Sequence, residues 1–465
     1  MLLGAVAAGG STPFWMNTNQ YGLMPEDSGM QLYVQTGMQF DTTKTFQWHW
    51  AFSGAANTEK FSNFKVIPDE IYAGFRWKVV NFDLGMKRQP TDFMAVSPYL
   101  GSLSTTSGHL VWSGNARTMP GYTITIDPLK IFKSGWLWFY GAFGDYVTLD
   151  NRYMSRALVH SQKLFLRFDF LKRFSFHVGL DHYAIWGGSS AAGKSMNVNL
   201  SNYIRMCLGM SADASGTLSD QMNVIGDHGG AELLRLDYRG DGWKISAQHE
   251  IPYSDKSGME FYNFPDGVNT LSFSFDDPDK WVSGIVYEFQ YTMNQSGSRH
   301  DAEKDWDPTK YFKGRDNYFN NGEYKSGWTY YGRTIGNPLF LPVGTKAGTW
   351  SSSDIVLGIE NNLVKAHHVG LTGKLFHKAP YRLMLTWSRN YGIMNKLYAG
   401  GSLPKDRFVT ADKPYHQVCG AFQAEYPLKR GLNITAGVYA DRGQVLADTF
   451  GATVGVRWDI VGSRF

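Results

Sequence analysis

Hydrophobic and polar residues alternate along much of this chain with a period of two. The stretch from residue 30 to residue 40 reads MQLYVQTGMQF, with apolar even positions and mostly polar odd positions. Because successive side chains of a β-strand point to opposite faces, this pattern predicts a strand with one apolar and one polar face. A helix would need apolar residues three and four positions apart, and these segments lack that spacing.

The same alternation recurs to the C-terminus. Further segments of this kind begin near Phe46, Ile71, Val80, Leu164, Ile204, Leu432 and Val454. A sheet with lipid on its apolar side and water on its polar side is typical of a transmembrane barrel. We therefore predict an all-β fold, a transmembrane antiparallel β-barrel of about eighteen strands.

The connections between the predicted strands are of two lengths. Short turns are predicted near residues 41–45, 171–173, 239–242, 377–380 and 427–431. Long segments cover residues 89–119, 146–161, 184–202, 252–280, 294–350 and 392–415. Bacterial barrels have short periplasmic turns and long outer loops, so we expect the long segments to be extracellular.

The composition favours a barrel over other membrane folds. Aromatic residues make up 15% of the 465 residues, and the mean hydropathy is −0.31. No stretch approaches the roughly 20 apolar residues of a spanning helix, and a closed barrel is the other way to satisfy the backbone in lipid. A soluble β-sandwich or propeller also alternates, but we find no repeat of roughly 40–50 residues, as a propeller would show.

Charge, cysteines and the N-terminus add smaller constraints. The net charge of +4 gives no reason to expect nucleic-acid binding. Cys207 and Cys419 are expected to lie far apart around the barrel, as free thiols. Residues 1–27 are either the remnant of an export signal with a lead-in or a fragment of the barrel, and residues 28–465 are predicted to form one barrel domain.

Several short motifs occur in a fixed order over nearly the whole chain. They are PFWMN at 13–17 with Tyr21-Gly22, GSL at 101–103, SGNAR at 113–117, LVHSQK at 158–163, GLDHYAIWGG at 179–188, DNYFNN at 316–321, GWTY at 327–330 and IGNPL at 335–339. None is specific alone. Their order and spacing together resemble the Wzi-type capsule-assembly outer-membrane proteins, in the form found in Bacteroidetes-like bacteria.

The resemblance implies an eighteen-stranded barrel, closed to free diffusion, that acts as a lectin and helps to organise capsular polysaccharide on the cell surface. Two features depart from the family. Members with a periplasmic helical segment ahead of the barrel have no counterpart here, because the predicted strands begin by about residue 30. The terminal Phe465 resembles the closing aromatic residue of such barrels, but Trp458 and Ile460 have the opposite parity, which a bulge at Gly462 would reconcile.

The segment 294–350 combines aromatic rings with amides and charges, which suit the apolar face and the hydroxyl rim of a sugar. The glycan-binding candidates in it are Trp306, Arg315, Asp316, Asn317, Tyr318, Asn320, Asn321, Tyr324, Trp328, Tyr330 and Arg333. Four candidates lie elsewhere: Asn115, Arg117, His182 and Trp186. The alternative is a self-packed loop that plugs the lumen, with its amides capping turns, and a hydrogen-bonded structural role for His182.

Residues of both charges fall on the predicted lumen face. They are Arg76, Arg88, Arg167, Arg205, Arg382, Arg457, Asp83, Asp169, Asp181, Glu425 and Asp459. They predict either a filling of ion pairs or a lining that guides a substrate. The histidines lack metal-ligand spacing, and nothing marks the Ser–His pair of a barrel lipase, so we expect no metal, cofactor or enzymatic activity.

The sequence thus predicts a monomeric, non-enzymatic lectin barrel in the bacterial outer membrane. Its expected partners are capsular or exopolysaccharide, outer-membrane lipid and the barrel-assembly machinery. A diffusion porin for sugars or ions is the first alternative, and a barrel hydrolase is the second.

Overall fold

Eighteen antiparallel strands close into one barrel in the computed structural model, as predicted. The structure describes residues 1–38, 44–89, 105–190, 193, 195–217, 220–221, 224–254, 261–296, 316–343, 358–393 and 414–460. The barrel strands β1–β18, in chain order, are Leu2–Ala8, Gly29–Gly37, Phe46–Glu59, Asn63–Trp77, Val80–Met86, Pro120–Lys130, Leu137–Val147, Leu158–Phe170, Phe174–Trp186, Asp227–Arg239, Trp243–Tyr253, Gly267–Phe275, Gly284–Tyr291, Val364–Leu375, Ala379–Asn390, Tyr415–Pro427, Leu432–Gly443 and Thr449–Trp458. Each strand pairs with its neighbours in the chain, and β1 also pairs with β18, which closes the barrel.

Short elements lie between the barrel strands. Helix α1 spans Phe14–Asn17 and helix α2 spans Leu200–Cys207. Three small ladders pair Met154–Ser155 with Ser189–Ser190, Thr329–Tyr330 with Arg333–Thr334, and Leu341–Pro342 with Ile359–Asn361. Among the described residues, no helix has the length and apolar character needed to cross a membrane.

The two faces of the wall differ as the alternation predicts. Trp48 on β3 is 63% exposed, whereas its neighbours Gln47 and His49 are buried. Other exposed apolar side chains of the outer face are Leu32, Phe52, Leu84, Leu164, Leu271, Leu385, Val438 and Val454. The inner face carries buried polar groups and ion pairs, including Arg88–Asp69, Lys163–Asp181 and Arg457–Glu425. The inner face therefore fits a filling of ion pairs better than a lining with separated charges.

The two ends of the barrel carry different connections. At one end, which we call the turn end, the connections are short and cover residues 78–79, 131–136, 171–173, 240–242, 376–378 and 428–431. At the other, the loop end, long connections cover residues 87–119, 187–226, 292–363 and 391–414. Most connections follow the predicted separation of short turns from long loops, but the loop-end connections 60–62 and 444–448 are short. The predicted long segment 252–280 is also wrong in part, because Gly267–Phe275 within it forms strand β12.

An aromatic belt surrounds the outer face near the turn end. Its ring pairs, with centroids 5.3–6.2 Å apart, include Phe46–Trp48, Phe132–Trp136, Trp136–Phe168, Phe170–Phe174, Tyr238–Trp243 and Trp243–Phe273. Aromatic rings at this level mark the membrane–water boundary of outer-membrane barrels. The belt therefore gives a reference for depth along the wall.

Two segments bear on the sequence interpretation. Leu2–Ala8 forms wall strand β1, which fits the alternative that residues 1–27 include a fragment of the barrel, although this strand lies ahead of the predicted domain boundary at residue 28. The predicted strand near Ile204 is wrong, because this segment is helix α2, and Arg205 consequently does not lie on the lumen face. Asn199 caps the helix by accepting a hydrogen bond from the backbone N–H of Asn202, and this cap favours a helix over a strand.

The prediction for the cysteines is confirmed. Cys207 and Cys419 are both free thiols. Cys419 is buried on the inner face of β16, whereas Cys207 ends helix α2 rather than lying on a strand.

Candidate functional site

Three segments fold into the lumen and form an apolar core there. We call residues 12–24, 105–119 and 316–343 the plug. Its buried side chains include Phe14, Trp15, Met16, Leu110, Val111, Trp112, Tyr318, Phe319, Trp328, Tyr330 and Phe340. They form one cluster with inner-wall residues Val6, Tyr146, Tyr183, Val268, Ala366, Met384, Ala421 and Tyr439. These wall residues come from strands β1, β7, β9, β12 and β14–β17, and Leu23 of the plug packs against Ala55 and Ile67 of β3 and β4, so the plug reaches opposite sides of the lumen.

Hydrogen bonds attach the plug to the wall. The backbone N–H of Ser107 donates to Glu288 Oε2 at 2.7 Å, and that of Leu110 donates to Glu250 Oε1 at 2.9 Å. The Trp15 indole N–H donates to a wall hydroxyl, Thr386 Oγ1, at 3.0 Å. Buried carboxylates are costly unless they accept such bonds, so these contacts hold the plug in one position.

We expect the plug to loosen as the pH rises. His109 Nδ1 lies 3.3 Å from Glu250 Oε2, with both side chains nearly buried. Burial lowers the pKa of His109, but Glu250 and Asp181 outweigh burial and the opposing Lys163, so the pKa is raised above its ordinary 6.5. Stabilisation by a raised histidine pKa is complete below the unfolded value and is lost as the pH rises through the folded value. We therefore expect the hydrogen exchange of residues 105–119, corrected for intrinsic rates, to become faster as the pH rises through the folded pKa of His109.

A His109→Gln variant provides the control for this prediction. The variant keeps a polar side chain but has no titrating ring, so its plug exchange should show no such dependence on pH. Equal pH dependence in both proteins would contradict the role of the His109–Glu250 pair.

The predicted glycan residues at the start of 316–321 are held by protein groups. Asp316 is 7% exposed, and Tyr318 is fully buried. The Tyr318 hydroxyl donates to Asp266 Oδ2 at 2.8 Å. Asn317 Oδ1 accepts a hydrogen bond from Asn362 Nδ2 at 2.6 Å. These residues build the plug, which matches the alternative of a self-packed loop.

The next candidates have the same role. Asn320 Nδ2 donates to the Ile359 carbonyl at 2.9 Å. The Trp328 indole N–H donates to the Val111 carbonyl, and this ring is 3% exposed. The remaining ones are Asn321, whose amide donates to Asp227 Oδ1, and Tyr324, whose hydroxyl donates to the Gly187 carbonyl. Trp306 and Arg315 lie outside the described residues.

His182 and Trp186 lie on the outer wall, away from the plug, and are 5% and 3% exposed. His182 Nε2 is 2.7 Å from His228 Nδ1, and Gln162 Nε2 donates to His182 Nδ1 at 2.9 Å. The hydrogen-bonded structural role for His182 therefore fits better than a glycan contact.

The outer wall also holds a His–Asp pair that sequence spacing did not reveal. His160 Nδ1 lies 2.9 Å from Asp145 Oδ1. A barrel hydrolase would use such a pair, but the His160 side chain is 0% exposed beneath the connection that carries α2. The sequence did contain a signal for this pair. His160 and Gln162 are polar residues at lipid-facing positions of β8, where Leu164 and Phe168 are apolar.

Four other residues come together at the loop end, and three of them were predicted. The chain around residue 115 runs beside the chain around residue 335, since the N–H of Ser113 donates to the Ile335 carbonyl at 2.8 Å. The amide of Asn115, another candidate, donates to the Thr334 carbonyl at 2.9 Å. This pairing brings together Arg117, Tyr330, Tyr331 and Arg333, which we call the arginine–tyrosine cluster.

The cluster presents a ring and two guanidinium groups. The Arg117 guanidinium carbon lies 4.2 Å from the centre of the Tyr331 ring, and Tyr331 is 42% exposed. Arg333 donates to the Asn17 side-chain oxygen at 2.6 Å and to its carbonyl at 3.1 Å. Both arginines pack against Gly22, where an added Cβ would lie 3.1 Å from Arg117 and 3.3 Å from Arg333. The two cations are therefore close neighbours.

The charges of the cluster are poorly compensated. Within the part of the chain that the structure describes, no carboxylate forms an ion pair with Arg117 or Arg333. Burial lowers the pKa of Arg333, Glu26 opposes this effect, and Arg117 adds to it. An arginine remains charged under these conditions, so the cluster favours an anionic or strongly polar ligand.

The described residues contain no group of three or more His, Cys, Asp or Glu side chains that could hold a metal ion. Chemically, the cluster can stack a flat apolar face on Tyr331 and donate hydrogen bonds from two guanidinium groups.

Comparison with solved structures shows the fold. The chain is similar to Wzi, an outer-membrane protein involved in group 1 capsule assembly in Escherichia coli and described as a carbohydrate-binding β-barrel. The two share 12% sequence identity with a TM-score of 0.59, over 98% of this chain and 83% of that one. Pseudomonas aeruginosa OccK3 (OpdO) matches at 8% identity and a TM-score of 0.46, over 98% and 93% of the two chains.

No family model matches the chain, and no curated protein does. At 12% identity the likeness to Wzi shows the architecture and leaves the residues of the site to be judged on their own geometry. The fold is that of an outer-membrane β-barrel, with eighteen strands closed around a plug.

Proposed function

We propose that this barrel binds a polysaccharide of its own cell at the loop end, and that it helps to attach or assemble that polysaccharide at the cell surface. The observation that carries the proposal is the arginine–tyrosine cluster, which leaves Tyr331 exposed beside the Arg117 and Arg333 guanidinium groups. Wzi is itself described as carbohydrate-binding, which supports this ligand class. The loop end would then face outside the cell, as short periplasmic turns and long outer loops require.

The plug supports a binding role over a diffusion porin. A porin needs a water-filled path along its axis, whereas here aromatic plug residues pack against inner-wall residues of several strands. A hydrolase is less well supported, because the His160 side chain is fully covered by protein. We propose a non-enzymatic, monomeric barrel that the barrel-assembly machinery inserts into outer-membrane lipid.

Cells that lack this protein are expected to release polysaccharide into the medium. Without a surface protein to hold it, the polymer would be made and exported but retained poorly. Capsule retained normally, with no polymer released, would contradict the proposal. A strain complemented with the intact gene is the control.

A further inference from the structure

Helix α2 packs against the outer face of the barrel rather than extending away from it. Met206 is fully buried and joins a small apolar cluster with Ala184, Trp186 and Ile225. Ala184 and Trp186 belong to β9, so the cluster fastens the helix to the wall. The helix thus lies on the side of the barrel that faces lipid.

Hydrogen bonds hold α2 over polar positions of that wall. The Gln162 amide of β8 donates to the Cys207 carbonyl at 2.8 Å. The Tyr203 hydroxyl donates to Asp145 Oδ2 of β7 at 2.7 Å. The alternation along β7 and β8 places these wall groups on the lipid-facing side, where polar groups without hydrogen-bond partners are strongly unfavourable. The helix supplies those partners.

The opposite side of α2 is apolar and exposed. Leu200, Ile204 and Leu208, which we call the α2 stripe, are 74%, 51% and 68% exposed. They are spaced four residues apart, so they lie on one side of the helix. Val198 and Met210, just outside the helix, are also about half exposed. A short helix with one polar, anchored side and one exposed apolar side is typical of a membrane interface.

The depth of α2 along the wall matches that interface. Gln162 lies eight residues along β8 from Phe170, which belongs to the aromatic belt at the turn end. At roughly 3.3 Å per residue and a tilt of about 40°, it lies about 20 Å above the belt. The apolar band of such barrels is about 25 Å tall, so α2 lies near its far edge. Leu164, between these two positions on β8, is 54% exposed and continues the lipid-facing surface.

We propose that α2 is an interfacial helix whose stripe inserts among the acyl chains of the membrane leaflet at the loop end. The occupant of this surface is lipid, because the stripe continues the apolar outer wall. A second copy of the chain is a poorer fit, since three side chains of one short helix offer far less than the roughly 800 Å² per partner that a stable dimer buries. This inference does not depend on the proposed polysaccharide role.

Spin labels on the full-length protein in lipid vesicles test the proposal. In a Cys207→Ser, Cys419→Ser background, single labels are placed by Ile204→Cys and Leu208→Cys. Leu164→Cys on the outer wall serves as the lipid-facing control, and Ala214→Cys in the same connection serves as the water-facing control. Collision rates are measured with oxygen, which concentrates in acyl chains, and with a water-soluble nickel complex.

Labels on the stripe are expected to give an oxygen-to-nickel ratio several-fold above that at Ala214 and close to that at Leu164. A ratio equal to that at Ala214 would overturn the proposal by placing the stripe in water. Shielding from both reagents would also overturn it, because another protein surface would then cover the stripe. Leu200→Cys replaces either variant that fails to fold.

Discussion

Replacing residues 105–119 with a Gly/Ser linker of the same length is expected to turn a closed barrel into one that conducts ions. The segment contributes Leu110, Val111 and Trp112 to the plug core, and its backbone is tied to Glu250 and Glu288 on the wall. Without these contacts the remaining plug loses both packing and attachment. Barrels of this strand number leave a water-filled channel when nothing fills them, so we expect steady conductance at the level of an open porin. Planar-bilayer recording measures it.

The intact protein should show no steady conductance in the same experiment. A Trp48→Ala variant is a matched control, since it removes an aromatic ring from the outer face without touching the plug. Heat-dependent mobility on gels would show that each barrel is folded. A folded linker variant without conductance would mean that residues 105–119 do not close the lumen.

Arg117→Ala and Arg333→Ala are each expected to weaken polysaccharide binding about ten- to hundred-fold. Hydrogen bonds to charged groups contribute about 1.5–3 kcal/mol, and about 1.4 kcal/mol corresponds to a tenfold change in affinity. The effect should be larger at low salt, because screening weakens interactions of exposed charges. Titration calorimetry with polysaccharide purified from the same cells measures the change.

Arg173→Ala is the control for charge alone. Arg173 is an exposed arginine at the turn end, paired with Asp241, and its removal should leave binding unchanged. Trp328→Ala and Asp316→Ala are poor probes of contact, because both side chains are buried and their loss would disturb the plug. If both cluster variants bound the polysaccharide as tightly as the intact protein, the binding site would lie elsewhere.

The barrel could be predicted from the sequence because the alternation of apolar and polar residues is a local signal. A few successive residues are enough to identify the two faces of a strand, as in the segment that begins at Met30. Helix α2 could not be predicted in this way, because Ile204 and Leu208 fit both a strand period of two and a helical spacing of four. The Asn199 cap and the polar wall beneath the helix decide between them, and the wall is a tertiary feature.

The candidate site could be predicted only in part, for a related reason. Rings and amides in one loop suit a sugar, but they equally suit a packed plug whose amides bond to backbone carbonyls. Asn320 and Trp328 belong to the packed plug, since both donate to backbone carbonyls. Burial distinguishes a plug residue from a sugar-binding residue, and the sequence does not show which side chains are buried. Arg117 and Arg333 were named individually, but they lie in different connections, and only the fold makes them neighbours against Gly22.

The closure of the barrel has a mechanical consequence. The ladder between β1 and β2 contains five residue pairs, from Leu2 to Val6, whereas β8 and β9 share thirteen. Separating a wall at its shortest ladder breaks the fewest backbone hydrogen bonds. The β1–β2 seam is therefore the place where lateral opening of this cylinder costs least.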